Sequence, residues 1–123
     1  MTTRDGNLFD PLPGDVSAES IEELLGCTSL RLERIVSRGH ATPPGEWYDQ
    51  DRNEWVVLLS GSATLRFEDE PQARSLQPGD HVWIAAHRRH RVESTDGELP
   101  SVWLALHYDE GPAVPHTVRD VAP

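Results

Sequence analysis

The 123-residue chain contains no lysine: all 11 of its basic residues are arginine. That absence excludes Schiff-base catalysis, lysine general bases and the lysine of a phosphate-binding loop. A single cysteine, Cys27, leaves no partner for an intramolecular disulfide. It follows an apolar pair in "ELLGCT" and reads as a small buried side chain. Positive charge is scarce: 21 acidic residues give a net charge of −10. A free nucleic-acid binder carries the opposite sign, and the acidic excess reads as a device for solubility. No stretch approaches the ~20 apolar residues of a membrane span. The N-terminal "MTTRDGNLFDPLPGD" lacks the apolar core of a signal peptide. The expectation is one cytoplasmic domain with neither nucleic acid nor membrane as partner. Neither a G-x-S-x-G nucleophile motif nor a Gly-rich phosphate loop occurs.

What remains is a run of short β signals. Residues 1–16 are rich in Asp, Gly and Pro and read as irregular. "SAESIEELLG" carries helix signals: Ser20 and Glu23 have capping-box spacing, Ile21, Leu24 and Leu25 share a face, and Gly26 can close the end. A short N-terminal helix is predicted there, with Ser17 as an alternative cap. From Thr28 the pattern turns to strands. "SLRLERIVS" alternates through Leu30 and Leu32 before becoming apolar at Ile35 and Val36. "EWVVLL", Ser-Gly and "SATLRFE" read as a hairpin, with Ala63, Leu65 and Phe67 on the buried face. A short strand around Ala73–Leu76, then "HVWIAA", "RHRVES" and "SVWLALHY", complete the series. Short strands at near-regular spacing predict an antiparallel sandwich or barrel. Two of them are apolar on both faces, which requires a second layer. The boundaries predicted are an N-terminal extension over 1–27, a barrel over 28–108 and a tail over 109–123.

One residue looks misplaced in this pattern. Glu54 stands directly before the apolar run Trp55–Leu59. A buried carboxylate is costly unless something satisfies it. A backbone N–H or an Arg could do so, setting register and no more. The spacing around Glu54 suggests another answer. Six residues separate Glu54 from Gly61, 17 separate Gly61 from Gly79, and ten separate Gly79 from His90.

That spacing resembles the two motifs of the cupin family, G-(X)5-H-X-H-(X)3-4-E-(X)6-G and G-(X)5-P-X-G-(X)2-H-(X)3-N. The resemblance covers about residues 30–108. Glu54, Gly61, Gly79 and His90 match, whereas Ala85, His87 and Ser94 stand where Pro, Gly and Asn are expected. The two His of the first motif are absent. A four-residue gap before Glu54 puts Trp47 and Asp49 at their positions; a three-residue gap puts Tyr48 and Gln50 there.

The resemblance implies an all-β double-stranded β-helix, or jelly-roll barrel, here with a short N-terminal helix and paired as a homodimer. It also implies a polar site inside the barrel, because residues i and i+2 on a strand share a face. Glu54 and His90 with Gln50 are the candidate metal ligands, Asp49 and His87 candidates for holding a cofactor or an anionic group, and Tyr48 a candidate proton donor. The ion implied is divalent, Mn, Fe, Zn or Ni, or the site holds none. Losing two imidazoles weakens preference for zinc, copper or nickel. Arg88, Arg89 and Arg91 read either as an anion-attracting cluster or as partners for acidic residues. His107 could face inward with Trp103 and Ala105. The expected function is binding of a small polar or anionic molecule in the barrel, with a weakly held divalent metal; the alternative is a metal-dependent dioxygenase, isomerase or lyase.

Overall fold

In the computed structural model, residues 5–14, 17–109 and 117–118 are described. Eight antiparallel strands form two sheets. They are β1 (Ser20–Cys27), β2 (Leu30–Ser37), β3 (Asn53–Ser60), β4 (Ala63–Phe67), β5 (Arg74–Leu76), β6 (His81–Ile84), β7 (His90–Thr95) and β8 (Ser101–Tyr108). One sheet runs β1-β2-β8-β3-β6 and the other β5-β4-β7. Among the described residues there is no helix, and so none long and apolar enough to cross a membrane.

The predicted N-terminal helix is therefore not observed. Ser20–Cys27 instead pairs with β2 from Ser20↔Val36 to Cys27↔Leu30, across a turn at Thr28-Ser29. The physical reason is cooperativity. A helix of two turns is marginal in water even with a good cap. The same segment laid beside β2 satisfies its backbone on that partner, and Glu22 pairs with Arg34 at 3.3 Å. One bulge between Glu23 and Leu25 absorbs the extra residue. Because β1 is an edge strand, Cys27 is exposed rather than buried.

The predicted hairpin of "EWVVLL" and "SATLRFE" is also replaced. β3 pairs with β6 and β8, while β4 pairs with β5 and β7. The chain changes sheets at Gly61, whose φ is +85°. Between the sheets lies the core: Val56, Leu58, Leu65, Phe67, Ile84 and Trp103 are all buried, with Ala63, Leu76, Val82 and Ala105 around them. The alternation read in β4 holds, since Ala63, Leu65 and Phe67 are buried.

The outer face of the larger sheet is apolar too. A single cross-strand row runs Leu25–Leu32–Leu106–Trp55–Trp83. Leu25 is 52% and Trp83 54% exposed at the two ends. The inner row beside it runs Arg31–His107–Glu54–Ile84. The larger sheet is thus polar inside and apolar outside at this end, the inverse of an ordinary half-buried sheet.

Candidate functional site

The inner row defines one wall of a cavity of about 210 Å³ between the sheets. Period-two geometry places Arg31, Glu33 and Ile35 of β2 on this wall, with Trp103 and His107 of β8 and Glu54 and Val56 of β3. The opposite wall holds Leu65, His90 and Val92, and the chain between β2 and β3 adds Tyr48 and Gln50. Tyr48 reaches His90 through a two-way backbone bridge: its N–H donates to His90 O at 2.7 Å, and its carbonyl accepts from His90 N–H at 3.1 Å. That bridge settles which residues face inward. Tyr48 and Gln50 line the cavity, whereas Asp49 turns out to the rim.

At the centre, Glu54 is 8% and His90 5% exposed. His90 Nε2 lies 3.6 Å from Glu54 Oε1, too long for a hydrogen bond. His90 Nδ1–H donates to Arg88 O at 2.8 Å. This bond fixes the ring and turns Nε2 toward Glu54. Glu54 Oε1 is buried with no hydrogen-bond partner, and so is Gln50 Oε1. The other Glu54 oxygen is 4.0 Å from His107 Nε2. His107 is committed elsewhere: its Nε2–H donates to Glu33 Oε1 at 3.1 Å. Glu33 is held further by Arg31, whose Nε is 3.0 Å from its second oxygen.

Tyr48 stands at the mouth, its ring centroid 5.6 Å from that of His90. Burial pushes its phenol above the ordinary tyrosine range, and the nearby carboxylate of Glu19 pushes it the same way. The phenol therefore keeps its proton through neutral pH. The rim residues Asp49 and His87 pair with each other at 2.9 Å, both exposed. They border a shallower groove shared with Gln50 and His107 rather than the cavity itself. The three arginines near His90 are paired with acids: Arg88 with Asp69 and Glu70, Arg89 with Glu68, and Arg91 with Glu93.

The structure thus joins Tyr48, Gln50, Glu54 and His90 in one cavity and leaves Asp49 and His87 at its rim. Glu33 and Arg31 were missed in the sequence because the alternation in β2 pointed to Leu30 and Leu32 as the core face. Both faces of that strand carry apolar residues, so its parity was ambiguous. The available signal was Ile35, two residues from Glu33 and on the same face.

A metal implied by this fold would meet Gln50, Glu54 and His90. Among the described residues, no three His, Cys, Asp or Glu side chains are grouped to hold an ion. His107, which could have replaced a missing imidazole, is occupied by Glu33. This donor set does not fit a tightly held transition metal.

Comparison with known proteins agrees with the fold. No family model matches the sequence, and no curated protein does. The chain is 46% identical to a protein of Ralstonia eutropha JMP134 provisionally named a mannose-6-phosphate isomerase. That match spans 86% of this chain and 98% of the other, with a TM-score of 0.84. A cupin superfamily protein of Desulfitobacterium hafniense DCB-2 superposes with a TM-score of 0.67 at 16% identity, over 80% of this chain and 84% of that one. An RmlC-like cupin with a double-stranded β-helix fold, from Methanocaldococcus jannaschii, gives 0.62 at 16% identity, over 80% and 86%. Two sheets closing around an interior Glu–His pair, and the Ralstonia relative at 46% identity, place the chain in the cupin superfamily.

Proposed function

We propose that this cupin binds a small organic molecule in the cavity between its sheets. The ligand's polar end meets Glu54, Gln50 and His90, and its apolar body lies on Ile35, Val56, Leu65 and Trp103. The observation that carries this reading is the pair of buried oxygens, Glu54 Oε1 and Gln50 Oε1, left without a donor in the cavity. An unsatisfied buried polar group costs about 1–3 kcal/mol. A fold retains it where an occupant supplies the missing bond.

The second reading is a metal-dependent enzyme on a small metabolite, with Tyr48 as proton donor. It is favoured by the same oxygens and by the His90 ring held with Nε2 inward. Elemental analysis of untagged protein separates the two. The expected result is less than one metal ion per chain, with whatever is held lost in both Glu54→Ala and His90→Ala. Stoichiometric metal in the wild type would favour the enzyme. Metal retained in both variants would remove these residues from the ligand set.

The outer row of the larger sheet supports a homodimer. The ion pair on that face, Glu22 with Arg34, is self-neutralised, in a chain of net charge −10. Two copies can therefore approach there without facing like charges. Light scattering should give a dimer for the wild type and a monomer for Trp83→Arg. A monomeric wild type at high protein concentration ends this proposal.

A further inference from the structure

Taking the cavity as the ligand site, the geometry points to its occupant: we propose a small organic ammonium ion, a primary amine on a compact apolar body. Three acceptors line one space. Glu54 Oε1 and Gln50 Oε1 are buried without donors. His90 gives its Nδ1–H to Arg88 O, so the neutral ring presents Nε2 as an acceptor. A primary ammonium carries three N–H donors and no acceptor, which matches this set in number and sign.

The surrounding charge favours a cation as well. Three carboxylates line the cavity, Glu19, Glu33 and Glu54. Glu19 is bonded to Ser37, and Glu33 is held by both Arg31 and His107. Glu54 alone keeps an unmet oxygen. The one guanidinium among the described lining residues, Arg31, has its charge offset by Glu33 at 3.0 Å, although its Nε makes no hydrogen bond. A phosphate or carboxylate entering here would meet three carboxylates against one guanidinium. The walls add Ile35, Val56, Leu65 and Trp103, which suit an aliphatic body. The volume, about 210 Å³, corresponds to roughly seven waters at their liquid share of ~30 Å³ each. That suits a compact ligand.

The probe series holds the apolar body fixed and changes the head group. Isobutylammonium, isobutanol, isobutyrate and mannose 6-phosphate are titrated into the full chain in EDTA, and the amide resonances of cavity residues are followed by NMR. Isobutylammonium should bind saturably, at least tenfold tighter than isobutanol, and the two anions should give no saturable shift. Glu54→Gln should weaken the ammonium at least tenfold and change isobutanol less than threefold. Gln50→Met, which leaves the strands intact, should weaken the ammonium in the same direction. Isobutyrate or mannose 6-phosphate binding as tightly as the amine overturns the ammonium assignment while leaving the cavity as a ligand site. So does amine binding that appears only when Mn²⁺ replaces EDTA, or that is unchanged in Glu54→Gln. No shift with any of the four probes overturns both the assignment and the ligand-binding reading beneath it.

Discussion

Gly61→Ala is expected to lower stability by about 3–5 kcal/mol, enough to leave a marginally stable domain largely unfolded on mild heating. Two effects add at this position. Gly61 has φ +85°, where an L side chain is strained. A Cβ built there would also lie 2.6 Å from Ser101 Cα and 2.9 Å from Pro100 O. Those are backbone atoms, so no rotamer change relieves the overlap. Ser101 cannot retreat easily, because it is fully buried and its hydroxyl donates to Ser62 O at 3.0 Å. Gly79 provides the control. Its φ is +96°, yet nothing lies within 4 Å of its Cβ position. Gly79→Ala should therefore cost only the conformational part, about 1 kcal/mol. Urea unfolding followed by tryptophan fluorescence measures both. Equal losses for the two variants would show that the close approach to Ser101 contributes nothing.

Phe67→Ala should cost a further large amount, about 3–5 kcal/mol, as for other fully buried aromatic truncations. Phe67 has no exposed surface. Its ring supports the Arg88 guanidinium at 3.7 Å from the centroid and that of Arg74 at 4.7 Å. It also lies 6.1 Å from the His90 ring. The truncation therefore opens the core and loosens the site together. Arg88 supplies the carbonyl that orients His90, so its displacement should also broaden the His90 imidazole resonances. Phe67→Leu keeps most of the volume and should lose less than half as much. Chemical denaturation gives the free energies, and a truncation no worse than Phe67→Leu would mean that the core collapses around the gap.

Several of these features were legible before any fold was known. Glu54, Gly61, Gly79 and His90 stand at spacings that resemble the cupin motifs, a resemblance that implied a barrel with an interior carboxylate and imidazole, and those two groups do lie 3.6 Å apart. Gly61 was legible as a turn glycine but was read as the turn of a hairpin; the structure makes it the crossing between sheets, at φ +85°. The alternation in Ala63–Phe67 was equally clear, because only one of its faces is apolar.

Local signals failed where a distant strand outweighed them. Ser20 and Glu23 make a sound capping pair, but Leu30–Ser37 offers the same segment a complete ladder. Parity failed in β2 and around Glu54, where polar and apolar residues fall on both faces. Whether Tyr48 with Gln50, or Trp47 with Asp49, turned inward depended on one backbone bridge to His90, more than forty positions along the chain.

By itself, then, the order of residues determined the kind of fold and two poles of its interior, since strand period and glycine geometry act within a few residues. Only the tertiary structure decided that Ser20–Cys27 is extended, that His107 is hydrogen-bonded to Glu33, and that Glu54 is left with an oxygen to spare. Those outcomes depend on which strands become neighbours, and that choice minimises the free energy of the whole chain rather than of any one segment.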